Sequence, residues 1–264
     1  MDMLKRLEDE SIYILREAYH AFERLAILWS LGKDSNVMIW LAKKAFFGRV
    51  PFPAVHVDTG KKFKEMYAFR DTYAKTWKLD LVRGLCPDLG TIDDTLTPAA
   101  RSAARKTEGL KNIVREKGYQ GLILGIRRDE QATRAKERFF SPRGESGAWD
   151  IRDQPPEFWG QYNTSFSPNT HVRVHPLLSW SEVDIWRYIE RESIPVVDLY
   201  FSKKGKRYRS LGDKDITHPI DSDAKTVKEI IAELETTKVS ERAGRAMDHE
   251  REDAFERLRA DGYM

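Results

Sequence analysis

Apolar positions along this chain switch repeatedly between a helical spacing and short unbroken runs. From about Leu4 to Arg24, residues Leu4, Leu7, Ile14, Leu15 and Ala18 recur near a helical period and predict a helix. Leu25 to Trp29 is a compact apolar run that reads as a buried strand, and Asn36 to Phe47, apolar apart from Lys43 and Lys44, reads as a buried helix. Pro51-Phe52-Pro53 breaks the chain before a second strand, Ala54 to Val57, which ends at Asp58-Thr59-Gly60. Lys62 to Trp77 predicts a helix with Phe63, Met66, Phe69, Tyr73 and Trp77 along one side, and Leu79 to Val82 a third strand. Arg83 to Arg105 carries Gly, Pro, Asp and Thr without a sustained period and reads as a loop. A helix over Leu110 to Lys117 stops at Gly118, and Gly121 to Ile126 forms a fourth strand.

Strands separated by helices predict an α/β fold, a mostly parallel sheet with helices on both faces. In such sheets ligands sit beyond the carboxyl ends of the strands. Three polar clusters fall there: Ser30-Leu31-Gly32-Lys33-Asp34-Ser35, Asp58-Thr59-Gly60, and Arg127-Arg128-Asp129-Glu130. The first joins a strand to a helix through small residues, so free backbone N–H groups and a helix N-terminus converge on one spot and favour an anion. Lys33 adds a point charge there, and Ser30 and Ser35 add hydroxyls. Asp34 and Ser35 are also ordinary helix-start residues.

Arg127 and Arg128 directly follow a buried strand, where a solvated charged face is out of place. Their planar guanidinium groups suit an oxyanion. Arg134, Lys136 and Arg138 read equally well as a solvated helix face, with Glu130 and Arg134 at i,i+4 spacing. His56 and His175 read as packed or hydrogen-bonded, and Trp149, Trp159, Trp180 and Trp186 as core or interface. Ser179 with Glu182, and Thr226 with Glu229, are expected capping boxes.

The 264 residues suffice for one large α/β domain with an appendage, and a net charge of +3 is too small for a nucleic-acid signature. One cysteine, Cys86, excludes an intramolecular disulfide and a multi-cysteine zinc site. A charged start from Met1 to Glu10 and the lack of a long apolar span give an expectation of a cytoplasmic chain with no membrane association.

Ser30 to Ser35 resembles the PP-loop of the N-type ATP pyrophosphatases. His56 to Gly60, Lys62-Phe63 and Glu65-Met66-Tyr67 resemble the adenylyl-transferring branch of the phosphoadenosine-phosphosulfate reductase superfamily. Lys106 to Lys111, Arg127 to Glu130, Arg134 to Arg138, Pro156 to Trp159, Arg173 to Leu177, Trp180 to Trp186, Arg209 to Gly212 and Ser240 to Arg245 are similar to the small, catalytic subunits of bacterial sulfate adenylyltransferases. The resemblance covers nearly the whole chain in order.

It implies an adenine-nucleotide α-hydrolase-like domain over 1–198 and an appendage over 199–264 facing a partner. It further implies ATP-dependent adenylyl transfer to sulfate or a related small oxyanion, giving adenosine 5′-phosphosulfate and pyrophosphate. Ser30, Gly32, Lys33, Asp34 and Ser35 would hold the phosphates, Val57 and Gly125 the nucleotide, and Arg127 and Arg128 the attacking oxyanion or the α-phosphate. Asp58 either takes Mg²⁺ or caps its turn through Gly60, and Arg242 and Arg245 reach back to the phosphates or to a partner. A GTPase large subunit is the implied partner, and homo-oligomers are compatible.

Two departures stand out: only Ser202 to Arg207 replaces an insertion usual in the family, and Asp213 stands where many relatives have a cysteine-containing stretch. No cysteine follows Cys86, which speaks against reductase activity. Two alternatives are a PP-loop pyrophosphatase that activates a nucleic acid or small molecule for sulfur transfer through Cys86, and a nucleotide sensor without turnover.

Overall fold

The computed structural model describes residues 2–130, 132–144, 149–150, 152, 154–167, 170–239 and 241. Helix α1 (Met3–Ala21) is capped by Asp2, whose carboxylate accepts the Leu4 N–H at 3.2 Å. Strand β1 (Leu25–Leu28), helix α2 (Lys33–Ala45), strand β2 (Ala54–Asp58), helix α3 (Lys64–Thr76) and strand β3 (Leu81–Leu85) follow in the order that the hydrophobic pattern predicts.

The loop expected over 83–105 is corrected. β3 runs to Leu85, and helix α4 (Pro98–Lys117) starts well before Leu110. Thr97 caps α4 by accepting the Ala100 N–H at 3.2 Å, and Pro98 sits at the helix start, where no N–H is needed. The first turns bury small residues, Ala99, Ala100 and Ala103, which leave little hydrophobic signal. Gly118 ends α4 at φ 64°, as expected.

Strands β4 (Gly121–Ile123), β5 (Phe140–Arg143) and β6 (His171–Val174) complete a six-stranded sheet of order β3-β2-β1-β4-β6-β5. All neighbours pair in parallel except β5, which runs antiparallel to β6 at the edge. Pro142 lies in β5, and an edge tolerates its missing donor. Helix α5 (Glu182–Glu192), the short strands β7 (Lys206–Arg207) and β8 (Ile220–Asp221), and helix α6 (Val227–Thr236) follow.

The first cap of the C-terminal half differs from expectation. Ser181, not Ser179, caps α5, in a reciprocal box with Asp184 (3.2 and 3.0 Å), and Glu182 is left to pair with Arg209 at 2.7 Å. Thr226 and Glu229 form the expected box on α6.

Alternation along β1 divides the interior. Ile27 enters the larger core, built with α1, α2, α3, α5 and α6, whereas Ala26 and Leu28 face a smaller core under Leu110 and Ile113 of α4. The expected fold class, a mostly parallel α/β sheet with helices on both faces, is what these residues build. Tyr200, Leu211, Ala224, Ile230 and Leu234, from the later part of the chain, join the larger core. Trp180 and Trp186 are core residues, but Trp159 is 93% exposed.

Buried Glu8 ties α1 to its neighbours. Its carboxylate accepts from Lys44 at 2.5 Å, the Tyr188 hydroxyl at 2.6 Å and Lys5 at 3.1 Å. Burial alone would raise its pKa, but these donors outweigh it and hold the group at about 2. A carboxylate depressed from its ordinary value of about 4.3 stabilises the fold above that value and loses the contribution as pH falls towards the folded-state pKa. Glu8→Gln is expected to cost about 2–3 kcal/mol at neutral pH. Thermal unfolding of parent and variant should show the gap narrowing between about pH 5 and pH 3; a gap constant with pH would contradict the assignment.

Candidate nucleotide-binding site

The turn after β1 is held from several sides. Trp29 is fully buried and its indole N–H donates to Asn36 Oδ1 at 2.8 Å, locking strand end to helix start. Leu31 is left-handed at φ 69° with its side chain in the core. A non-glycine residue there costs about 1–3 kcal/mol, and burial of its side chain holds it in place. Gly32 caps α2 at an ordinary φ of −76°. Ser35 Oγ donates to Gly32 O at 2.9 Å, and the Lys33 N–H donates to Tyr200 Oη at 2.9 Å. Gly125 backs the turn: a Cβ there would lie 3.3 Å from both the Asp34 carbonyl carbon and the Ser35 nitrogen.

The turn opens on a cavity of about 190 Å³ at the carboxyl ends of β1, β2 and β4. Its charged lining residues are Lys33, Lys62, Lys106 and Arg134, with Asp34, Glu130 and Glu241. A larger cavity, about 1020 Å³, lies by the amino ends of β4 and β6, away from the Ser30 to Ser35 turn. Ser30, Gly32, Lys33, Asp34, Ser35, Val57 and Gly125 all line the smaller cavity.

Arg127, Arg128 and Asp58 do not line it. Arg127 is fully buried, its guanidinium spent on the carboxylates of Asp34, Glu241 and, at 2.9 Å, Asp129. Burial would lower its pKa; the surrounding carboxylates, Glu241 first, raise it instead. Arg128 turns away, with its guanidinium 5.1 Å from the Phe139 ring centroid and its Nη2 donating to Glu137 O at 3.4 Å. The placement expected of this pair in the ligand crevice is therefore corrected: Arg127 fastens the site and Arg128 packs beside it. Of the other three basic residues in that block, Arg134 lines the cavity and pairs with Glu130.

Asp58 Oδ1 accepts from the Gly60 N–H at 2.9 Å and from Tyr67 Oη at 2.8 Å, and Oδ2 from Arg70 at 3.2 Å. Burial would raise its pKa, but Gly60 and Tyr67 hold it below the ordinary carboxylate range. Its place is that of a turn cap. His56 is buried with Nδ1 3.0 Å from Trp29 O, so Nδ1 carries the proton, and desolvation lowers its pKa to about 4. His175, also buried, sits 2.8 Å from Arg138 O and packs as expected.

Two carboxylates at the site, Glu241 and Asp213, have no assigned site role from the sequence. Glu241 is buried between Lys33 and Arg127 and binds both; burial would raise its pKa, but Arg127 and Lys33 hold it far below the ordinary range. Its only sequence signal is its place in the Ser240 to Arg245 segment, beside Arg242 and Arg245, which lie outside the described residues. Asp213 is the second. Oδ1 accepts from Thr59 Oγ1 and Lys62 Nζ, each at 2.8 Å, and Oδ2 from Ser102 Oγ at 2.6 Å and Lys106 Nζ at 2.8 Å. Burial opposes its ionisation, yet Lys62 and Lys106 hold its pKa far below normal. Its partners come from the turn after β2 and from α4, so no local pattern could assemble them.

Because a side chain at position 125 would crowd the start of α2, Gly125→Val should displace the Ser30 to Ser35 turn. Displacement of about 1 Å can cost up to about 100-fold in a positioned site; we expect ATP affinity to fall at least about tenfold, read by equilibrium titration of the folded variant. Unchanged affinity would mean that the turn tolerates movement.

A phosphoadenosine phosphosulfate reductase domain matches residues 24–219. The chain is 43% identical to sulfate adenylyltransferase subunit 2 of Rhizobium etli, covering 99% of this chain and 93% of that protein. It is 39% identical to the subunit 2 of Pseudomonas fluorescens, over 99% and 98% of the two chains. The Rhizobium alignment spans 296 positions against 264 residues here, so the relative carries segments without a counterpart. Among solved structures, Candida glabrata FMN adenylyltransferase in complex with ATP aligns with a TM-score of 0.57 at 17% identity, over 97% of this chain and 79% of that one. A phosphoadenylyl-sulfate reductase from Candida auris aligns at 0.55 and 16%, over 81% and 97%. Those two likenesses speak for the fold alone. The domain match and the near full-length identity together place this chain in the phosphoadenosine phosphosulfate reductase domain family, among the sulfate adenylyltransferase subunit 2 proteins.

Proposed function

We propose that this chain transfers the adenylyl group of ATP to sulfate, releasing pyrophosphate. The observation that carries the reading is the 43% identity, over nearly both whole chains, to proteins named sulfate adenylyltransferase subunit 2. The phosphate turn at the carboxyl ends of the sheet is the physical counterpart of that likeness. In the reaction a sulfate oxygen forms a bond to the α-phosphorus while the bond to the bridging oxygen of the β-phosphate breaks. Charge is conserved and no electron is transferred.

The protein's work is to hold two anions in line and offset their charge. Backbone N–H groups of the turn, the Ser30 and Ser35 hydroxyls and Lys33 would receive the β- and γ-phosphates. Glu241 holds Lys33 in the structure described, so the triphosphate would have to displace or share that contact. Val57, on β2, borders the cavity where adenine would lie.

Mg²⁺ is expected with ATP, but Asp58 does not fit as its ligand, because three donors occupy its carboxylate. Among the described residues no three His, Cys, Asp or Glu side chains group to hold a metal. No step is therefore assigned to a protein-held ion.

The relatives are named as subunits, which supports a larger partner; a GTPase large subunit is the reading we adopt. No helix among the described residues is long and apolar enough to cross a membrane. The sulfur-transfer alternative gains nothing from Cys86: burial raises the pKa of its thiol, the reverse of what a persulfide carrier needs.

Lys33→Met tests the phosphate assignment while filling the buried space. Sulfate-dependent pyrophosphate release from ATP should drop at least about 100-fold, the scale of losing one charge-stabilising donor, with the thermal unfolding transition retained. Release at the parent rate would remove Lys33 from the site.

A further inference from the structure

The cavity has a second cationic group besides the Ser30 to Ser35 turn. Lys62 and Lys106 both line it, with side chains 8% and 18% exposed. Behind them lies Asp213, fully buried and absent from the cavity wall, each oxygen taking one ammonium and one hydroxyl. Lys33, by contrast, is held by Asp34 and Glu241.

We propose that Lys62 and Lys106, held in register by Asp213, form the subsite for the attacking oxyanion. The inference rests on the adenylyl-transfer reading and deepens it. Substitution at phosphorus requires the acceptor on the side opposite the leaving group. If the phosphate turn takes the leaving pyrophosphate, a dianion such as sulfate needs separate positive charge in the same cavity. The two lysines supply it, whereas Arg127 is sealed behind carboxylates and Arg128 points elsewhere.

Asp213 accepts from both lysines, one on each carboxylate oxygen. The carboxylate thus draws together two like charges from β2's turn and α4 that would otherwise repel. Asp213 is a positioning residue: it touches the lysines and does not touch the substrate.

The test uses the full chain, with and without its partner subunit, and reads two quantities. One is the KM for sulfate and for ATP in pyrophosphate release; the other is the thermal stabilisation of the protein by inorganic sulfate. Lys62→Gln and Lys106→Gln should each raise the KM for sulfate at least tenfold and abolish sulfate stabilisation, with the KM for ATP changed less than threefold. Lys106→Arg should recover part of the loss. Asp213→Asn should raise the KM for sulfate in the same direction.

An unchanged KM for sulfate in both lysine variants overturns the proposal, as does a KM for ATP that rises in step with it. Asp213→Asn with a lowered Tm and a parental KM for sulfate overturns the positioning role. Should that variant fail to fold, the lysine variants still decide. Sulfate stabilisation that the parent shows and the lysine variants lose, without pyrophosphate release in any of them, would sink the adenylyl-transfer reading and leave the subsite standing. A parent that responds to sulfate in neither measurement overturns both.

Discussion

Arg127 is the interaction on which the site depends. A guanidinium with no exposed surface is tolerable only when its charge is met and its donors are used. It meets Asp34 at the start of α2, Glu241 near the end of the described chain, and Asp129 two residues on. Asp129 in turn accepts the N–H of Glu182 at 2.8 Å at the start of α5, and Glu182 holds Arg209, which donates to Val239 O at 2.8 Å. One buried charge thus couples the Ser30 to Ser35 turn, the exit of β4, α5 and the segment that carries Glu241. Losing Glu241 would leave both Lys33 and Arg127 without their most buried partner, so the network favours one arrangement of elements far apart in sequence.

That arrangement stores local cost near the chemistry. Leu31 is left-handed within the Ser30 to Ser35 turn, and a side chain on Gly125 would crowd the start of α2. Both hold the turn's N–H groups in place before any ligand arrives, which is where an enzyme that works by orientation gains most. The charges of the cavity are distributed by the same logic. Asp34 and Glu241 restrain one lysine, Asp213 restrains two others, and each carboxylate keeps cations ordered while leaving them on the cavity wall.

Much of the fold was legible because buried parallel strands are short apolar runs and their helices carry a regular stripe; β1, β2, α2 and α3 show this directly. The start of α4 was not legible, since its buried positions are alanines and its loop-like composition hides a good cap, Thr97 before Pro98. The α5 cap was misread because both Ser179 and Ser181 sit at plausible spacing and only packing chooses between them. At the site, Ser30 to Ser35 spoke locally, for strand, turn and helix start are contiguous. Arg127 reads in the sequence as a charge in a buried place, but whether it faces a ligand or carboxylates is decided largely by Asp34 and Glu241, 93 and 114 positions away. Asp213 and Glu241 are of that kind too.

The most direct test of adenylyl transfer is to supply sulfate labelled with ¹⁸O in all four oxygens and weigh the adenylylated product. Attack by a sulfate oxygen on the α-phosphorus predicts adenosine 5′-phosphosulfate that keeps all four labels, one of them in the bond to phosphorus. Unlabelled AMP with pyrophosphate as the sole products would contradict the account, since water and not sulfate would then be the acceptor.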